Sequence, residues 1–433
     1  MTANPPEPGA PTSAPASSTA SSTASSTEAS ATPSATPDRE RQQRIRDALG
    51  RAGLDAVVCA LPKNVLLLSG YWPVIGSAVA VATRDGGIGV VAPADELELA
   101  RTGRATEMLS FSAGSLDDLR TAASAVAEPL AACLRALGVR TGRLGYEAGE
   151  AVQQSSYAAM HLYGGSMHDV LMRAAPGAHA VAADAMLASL RAVLSAREQI
   201  VLAAACDAAA AMFLAAPRII RRGARETEVG AAFRAEFARG VHGPGRADAF
   251  VYCMAGAHAA RAGAAYARSR ADGVLASGTT TLVHCNSCLD GFWTDVTRTY
   301  VVGAPDSRLR AMYQAIFRAR DAVLAALRPG ARAADADRAA RSVLADEGFG
   351  WGFTHSTGHG VGYTAIDHDA MPRLHPRSAD VLEPGMVFNV EPAIYQDGVS
   401  GIRHCDVVLL EESGPRVLTA FQQSPDALII PEI

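Results

Sequence analysis

The sequence predicts an α+β protein built from two unlike folded regions, an α/β region first and then a larger region of helices and antiparallel strands. Three observations predict it. DRERQQRIRDALGRAG turns helical and is followed by DAVVCAL and SAVAVATRDGGIGVVAP, which read as strands separated by turn residues. Ser195 stands three residues before Glu198, a capping box that opens a helix over the apolar run IVLAAACDAAAAMFLAA. Farther on, TLVHCNSCLDGFWTDVTRTYVVG sets Asp290-Gly291 between two alternating runs, the strongest short-range hairpin signal.

Taken in order, residues 1 to about 37 are Ser, Thr, Ala, Pro and Gly with almost no large apolar side chain, so they cannot offset their own ordering entropy and read as a disordered tail. The α/β region then spans 38–180. From 183 to 425, helices over SRLRAMYQAIFRARDAVLAAL and AADADRAARSVLADEG alternate with short strands and Gly turns. The 49% hydrophobic content is ample for substantial cores, and the net charge of -5 is spread along the chain, which argues against a nucleic-acid face or a polybasic membrane patch. No stretch comes near the roughly 18 apolar residues of a membrane span. Seven scattered cysteines (Cys59, Cys133, Cys206, Cys253, Cys285, Cys288, Cys405) fit reduced thiols in a cytoplasmic protein better than a disulfide framework.

The chemistry concentrates in four segments. With Asp290-Gly291 as the turn, Asn286 lies opposite Asp295, and alternation puts His284, Asn286 and Cys288 on the face of Asp295, with His284 its diagonal neighbour. FTHSTGHGVG places His355 and His359 four apart among small residues. In GMVFNVEPAIY, Glu391 alternates with apolar neighbours, an expensive place for a carboxylate unless it is paired or bound to a cation. GIRHCDVVLL sets Arg403 and Cys405 on one strand face and His404 and Asp406 on the other. Cys285 and Cys288 form a C-x-x-C whose members face opposite sides of one strand.

In order and spacing these segments resemble the pita-bread metallopeptidase family M24, in its creatinase, prolidase and Xaa-Pro aminopeptidase branch. GFWTDVTRT supplies Asp295 as the second hairpin aspartate, HSTGHGVG supplies His359, GMVFNVEPAIY supplies Glu391, and GIRHCD matches the final strand motif. KNVLLLSGYW and LASLRAVLSAREQI resemble that branch's N-terminal domain. The resemblance implies a C-terminal pita-bread fold over 183–425 preceded by an α/β creatinase-type domain over 38–180. It also implies one or two divalent ions (zinc, iron, cobalt or manganese), a small peptide or amino acid derivative as substrate and a homodimer, with no nucleic acid or membrane partner.

The chain departs from the family pattern at three site positions. His284 stands where the family has the first aspartate, Cys405 where it has the last glutamate, and Gly263 where it has a substrate-facing histidine, with His258 five residues away. The histidine normally seven residues after the ligand histidine falls on Ile366, and His368 takes its place only in a loop two residues longer. His284, Asp295, His359, Glu391 and Cys405 are nevertheless all able to ligate, in a set softened toward zinc, iron(II) or cobalt and better suited to one ion than two. The resemblance then implies hydrolysis of an amide-type C–N bond in an Xaa-Pro substrate, with Glu391 handling the proton of the attacking water and His368 or His355 hydrogen-bonding the intermediate or leaving group. Two alternatives stay open on sequence alone: a creatinase-like enzyme acting on a small guanidino or amino acid derivative, and a catalytically inactive binding module. Deleting residues 1–37 should leave the melting temperature unchanged, and a drop of several degrees in a thermal scan would show that the tail is part of the fold.

Overall fold

The computed structural model describes residues 38–74, 78–112, 120–149, 164–241, 245–261 and 268–432; the tail and Gly263 lie outside them. The first region runs α1 (Arg39–Ala52), β1 (Ala56–Cys59), α2 (Pro62–Ser69), β2 (Val79–Thr83), β3 (Ile88–Pro93), α3 (Leu97–Ala100), β4 (Glu107–Phe111), α4 (Ala122–Ala136), β5 (Gly142–Tyr146), α5 (Gly164–Ala174), β6 (Ala178–Ala182) and α6 (Asp184–Ala192). Asp38 caps α1 through the Arg41 amide, and Gly53 ends it in the left-handed conformation. The six strands form one sheet in the order β4-β3-β2-β1-β5-β6. β1 pairs antiparallel with β2 and parallel with β5, so the sheet is mixed. Its central strands are buried along their whole length, which explains why β1 and β2 read as continuous apolar runs rather than alternating ones.

The second region contains α7 (Ala196–Leu214), α8 (Ala216–Ile219), α9 (Glu226–Gly240), β7 (Ala247–Ala255), β8 (Thr280–Leu289), β9 (Phe292–Val302), α10 (Ser307–Ala326), α11 (Ala333–Asp346), β10 (Val387–Val390), β11 (Ala393–Gln396), β12 (Ser400–Arg403), β13 (Asp406–Glu411), β14 (Gly414–Val417) and β15 (Ile429–Ile430). The strands form three sheets, β15-β9-β8-β7, β10-β13-β14 and β11-β12. All their pairings are antiparallel except β15 with β9. The capping box of Ser195 and Glu198 opens α7. Continued through α8, this helix covers Ala196–Ile219 and is long and apolar enough to cross a membrane, which corrects the expectation that no segment comes near that length. Its Leu202, Cys206, Ala209, Met212 and Phe213 are instead buried in the protein core.

Buried ion pairs lock the two regions together. Arg41 of α1, fully buried, donates to Glu198 Oε1 (2.9 Å) and to the carbonyls of Leu190 and Val193 (2.8 Å each). Tyr363 donates to the same Glu198 oxygen (2.5 Å). Arg191 of α6 donates to Asp367 Oδ2 and Asn64 Oδ1, both at 2.7 Å, and Lys63, the only lysine, reaches Asp369 at 2.8 Å. Within the second region, the fully buried Asp406 accepts from Arg298 (2.7 Å), Arg320 (2.6 Å) and the Thr419 hydroxyl (2.9 Å).

Burial alone pushes the Asp406 carboxyl up, but the Arg298 and Arg320 charges hold it well below the usual carboxylate range. Its stabilisation is therefore full above the unfolded pKa of about 3.9 and is lost as pH falls through the lower folded value. Asp406→Asn should cost roughly 3–5 kcal/mol at neutral pH by leaving two buried guanidinium groups unbalanced. It should also flatten the acid limb of stability against pH. Urea titrations from pH 7 to 3 check both, and a variant as stable as the parent would contradict the assignment.

Candidate metal and catalytic site

Three backbone segments bring the predicted residues together. The β8–β9 hairpin turns at Asp290 and Gly291 with φ of 49° and 84°, the two-residue turn that the Asp-Gly pair favours. That register sets Asn286 opposite Asp295 and His284 opposite Thr297. His284 is thereby diagonal to Asp295, and its Nδ1 lies 3.5 Å from Asp295 Oδ1. The loop ending in His359 lies directly on β10: a Cβ on Gly358 would sit 1.9 Å from the Asn389 carbonyl oxygen, so this approach requires glycine. His359 Nε2 comes within 3.6 Å of Asp295 Oδ2 and 3.8 Å of Glu391 Oε1. Finally, the break between β12 and β13 bridges to β9 through Thr297 and Cys405, and Cys405 Sγ sits 3.9 Å from Asp295 Oδ1 while donating to the Asp295 carbonyl oxygen at 3.2 Å.

A series of contacts thus joins His284, Asp295, His359, Glu391 and Cys405, all buried. The hydrogen bonds around them fix the tautomers. His359 Nδ1 donates to the Gly360 carbonyl (3.0 Å), which leaves the Nε2 lone pair to accept from Asn389 Nδ2 at 3.1 Å. Asn389 is itself oriented by accepting the His359 backbone N–H at 2.7 Å. Arg403 Nη2, which can only donate, lies 3.0 Å from His284 Nδ1, so His284 Nε2 donates to Asn286 Oδ1 at 3.2 Å. Both histidine lone pairs therefore accept hydrogen bonds. Consistent with this, among the described residues no group of three or more His, Cys, Asp and Glu side chains forms a ready cage for a metal ion.

The two remaining candidate histidines flank the group. His355 Nδ1 donates to the Ser356 carbonyl (2.7 Å) and its Nε2 meets the Tyr395 hydroxyl at 3.1 Å; Nδ1 lies 4.0 Å from Glu391 Oε1. His368 packs edge-on against the His359 ring with centroids 4.9 Å apart, and Asp367 beside it is pinned by Arg191 and Lys63. His258 turns to Glu226, 2.8 Å away. Cys285 and Cys288 are free, buried thiols paired across the hairpin with Val296 and Trp293.

Burial dominates the electrostatics. It drives His359 down to about 3 and His355 and His368 to about 4, with His284 also well below its usual value. All four rings are neutral at neutral pH. Burial also raises Asp295 and Glu391, opposed in each case by the Arg403 charge. The Cys405 thiol is pushed far up by burial and the neighbouring carboxylates, so it carries its proton. Asn389 and Tyr395 had no assigned part in the sequence reading. Asn389 had a signal: a fully buried amide two residues before Glu391 in an apolar strand costs free energy unless it is bonded. With Cys405 fully buried and protonated, iodoacetamide at neutral pH should label it only after unfolding; native labelling at the rate of an exposed cysteine, read by mass spectrometry, would contradict this packing.

Comparison with known proteins converges on the same assignment. Residues 201–412 match metallopeptidase family M24, and residues 41–193 match the creatinase/prolidase N-terminal domain. The chain is 30% identical over 240 residues to the Xaa-Pro dipeptidase of Pyrococcus furiosus (55% of this chain, 66% of that protein). It is 38% identical over 159 residues to the uncharacterized peptidase YqhT of Bacillus subtilis (37% and 43%). The chain thus spans about two-fifths to two-thirds of the curated relatives it matches. Among solved structures, an Xaa-Pro dipeptidase from Bacillus anthracis superposes with a TM-score of 0.72 at 23% identity, covering 90% of this chain and 99% of that one. Dipeptidase PepE from Mycobacterium ulcerans gives a TM-score of 0.67 at 26% identity, covering 91% and 98%. The ordered motifs, the two matched regions and the shared architecture place this chain in metallopeptidase family M24, in the creatinase and prolidase branch.

Proposed function

We propose that the protein is a metal-dependent hydrolase of an amide C–N bond in small peptides, of the Xaa-Pro dipeptidase or aminopeptidase type. The observation that carries the reading is the grouping of Asp295 Oδ2 and Glu391 Oε1 within 3.6 and 3.8 Å of His359 Nε2, with His355 and His368 beside them. The family relatives named Xaa-Pro dipeptidase support the substrate class.

The donor set fits one ion. Asp295 Oδ2 and Glu391 Oε1, 3.6 and 3.8 Å from His359 Nε2, would hold it together with that nitrogen, provided that Asn389 releases the His359 lone pair. Cys405, 3.9 Å from Asp295 Oδ1, would join as a fourth donor only on losing the thiol proton it gives to the Asp295 carbonyl. A second ion does not fit as well, because the His284 lone pair is engaged by Arg403 and His284 joins only if that bond opens.

An ion held there supplies Lewis-acid polarisation of the scissile carbonyl. The chain's own residues do the rest. Glu391, whose carboxyl is pushed up to about 8 by burial, would take the proton of the attacking water once a cation beside it has displaced its own. Arg403, 3.9 Å from Glu391 Oε2, balances its charge and keeps it aimed into the pocket. His355 holds its place through the Ser356 carbonyl and Tyr395, which engage both of its ring nitrogens, and His368 is left to hydrogen-bond the tetrahedral intermediate or leaving nitrogen.

The test combines elemental analysis of protein purified without added metal with a panel of Xaa-Pro and non-proline dipeptides plus creatine. Expected are about one equivalent of a zinc-like ion and turnover confined to Xaa-Pro substrates, abolished by chelation and reduced at least a thousandfold in Glu391→Gln. Metal-free protein, inert toward every peptide even after loading, would overturn the proposal.

A further inference from the structure

We infer that Asn389 is an internal competitor for the metal ion, a side chain that holds the ion-free site closed and lowers the affinity of every cation by the same factor. This deepens the proposed function and rests on its single-ion reading. Asn389 is fully buried and its amide cannot turn over, because its Oδ1 accepts the His359 backbone N–H at 2.7 Å. Its Nδ2 is thereby directed at the His359 Nε2 lone pair, 3.1 Å away, and lies 3.5 Å from Cys405 Sγ. Nε2 is also the ring nitrogen that faces Asp295 and Glu391, at 3.6 and 3.8 Å. The amide therefore occupies the direction that any ion shared by these three residues must use.

An imidazole nitrogen has one lone pair, so ion and amide exclude each other at His359. Binding must break the Asn389–His359 hydrogen bond and leave a buried N–H without that partner, whichever ion arrives. The penalty belongs to the ion-free state and is the same for every cation. Strongly imidazole-binding ions such as zinc and cobalt still bind tightly despite it, whereas manganese and magnesium, whose bonds to nitrogen are weaker, lose the same factor from an already lower affinity. The device weakens every binder without contributing a ligand.

The experiment measures Zn2+ and Mn2+ affinity by calorimetry in chelator-stripped full-length wild type and Asn389→Ser. The serine hydroxyl keeps an acceptor near the His359 backbone amide but is too short to reach the ring as well. The variant should bind both ions about five- to tenfold more tightly, by the same factor for each, with Asp295→Asn as the control that loses binding. Equal affinities in wild type and variant would overturn the inference while leaving the single-ion reading intact. A gain for one ion only would also overturn it, since that result means a changed coordination sphere. Uptake of neither ion by either protein would overturn the single-ion reading and this inference with it. Should Asn389→Ser not fold, a zinc titration of wild type followed by NMR decides the matter: the Asn389 side-chain amide and the His359 ring nitrogens must shift together, and an unmoved Asn389 amide in the loaded protein refutes competition.

Discussion

The site depends on one short seam, the pair of backbone hydrogen bonds between Thr297 and Cys405 (Cys405 N to Thr297 O, 3.0 Å; Thr297 N to Cys405 O, 3.4 Å). It ties the four-stranded sheet to the strand break that separates β12 from β13, and nearly every site residue takes its position from one side of it or the other. Arg298 reinforces the seam by donating to the Cys405 carbonyl at 2.7 Å, and its other guanidinium nitrogen reaches Asp406 on the opposite face. The alternation of side chains across the break then sorts the chemistry. Arg403 and Cys405 enter the pocket, while His404 and Asp406 turn to α10, where His404 packs 4.7 Å from Phe317 and Asp406 meets Arg320.

Much of this was legible in the sequence because it follows from local rules. The Asp290-Gly291 turn fixed the hairpin register, and the register alone made His284 the diagonal neighbour of Asp295. The capping box at Ser195 fixed the start of α7. The i, i+2 alternation of the last motif correctly separated Arg403 and Cys405 from His404 and Asp406. What the sequence did not reveal is who satisfies whom. Whether His359 presents a bare lone pair or one already bonded depends on Asn389, thirty residues away, and on a carbonyl that accepts from the other ring nitrogen. His284 likewise looks like a ligand until Arg403, more than a hundred residues on, is found at its Nδ1. Such pairings are decided by tertiary approach, which no local pattern encodes.

The replacements at His284 and Cys405 act together with Arg403. A neutral ring and a protonated thiol lie beside Asp295, and the buried Arg403 guanidinium faces the same group. The result is a site in which His284, His359 and Thr297 each hold a neighbouring side chain in place. Burying a carboxylate is expensive when nothing balances it; here Arg403 reaches Glu391 and lies within a network that also includes Thr297 and Tyr395.

The hairpin turn has a second consequence, for how the chain can be divided. Gly291 carries no side chain where a Cβ would stand 2.7 Å from Trp72 and 2.8 Å from Leu66, so the tip of the β8–β9 hairpin is nested in the first region. A single apolar cluster runs from Ile45 and Leu49 through Leu202 and Phe213 to Val407 and Leu410. The two regions recognised as separate sequence families are thus not separable modules in this protein. Any exchange of halves between relatives, by an engineer or by recombination, inherits a joint whose two faces were fitted to each other, and the residues that keep the pocket in shape include many that never touch it.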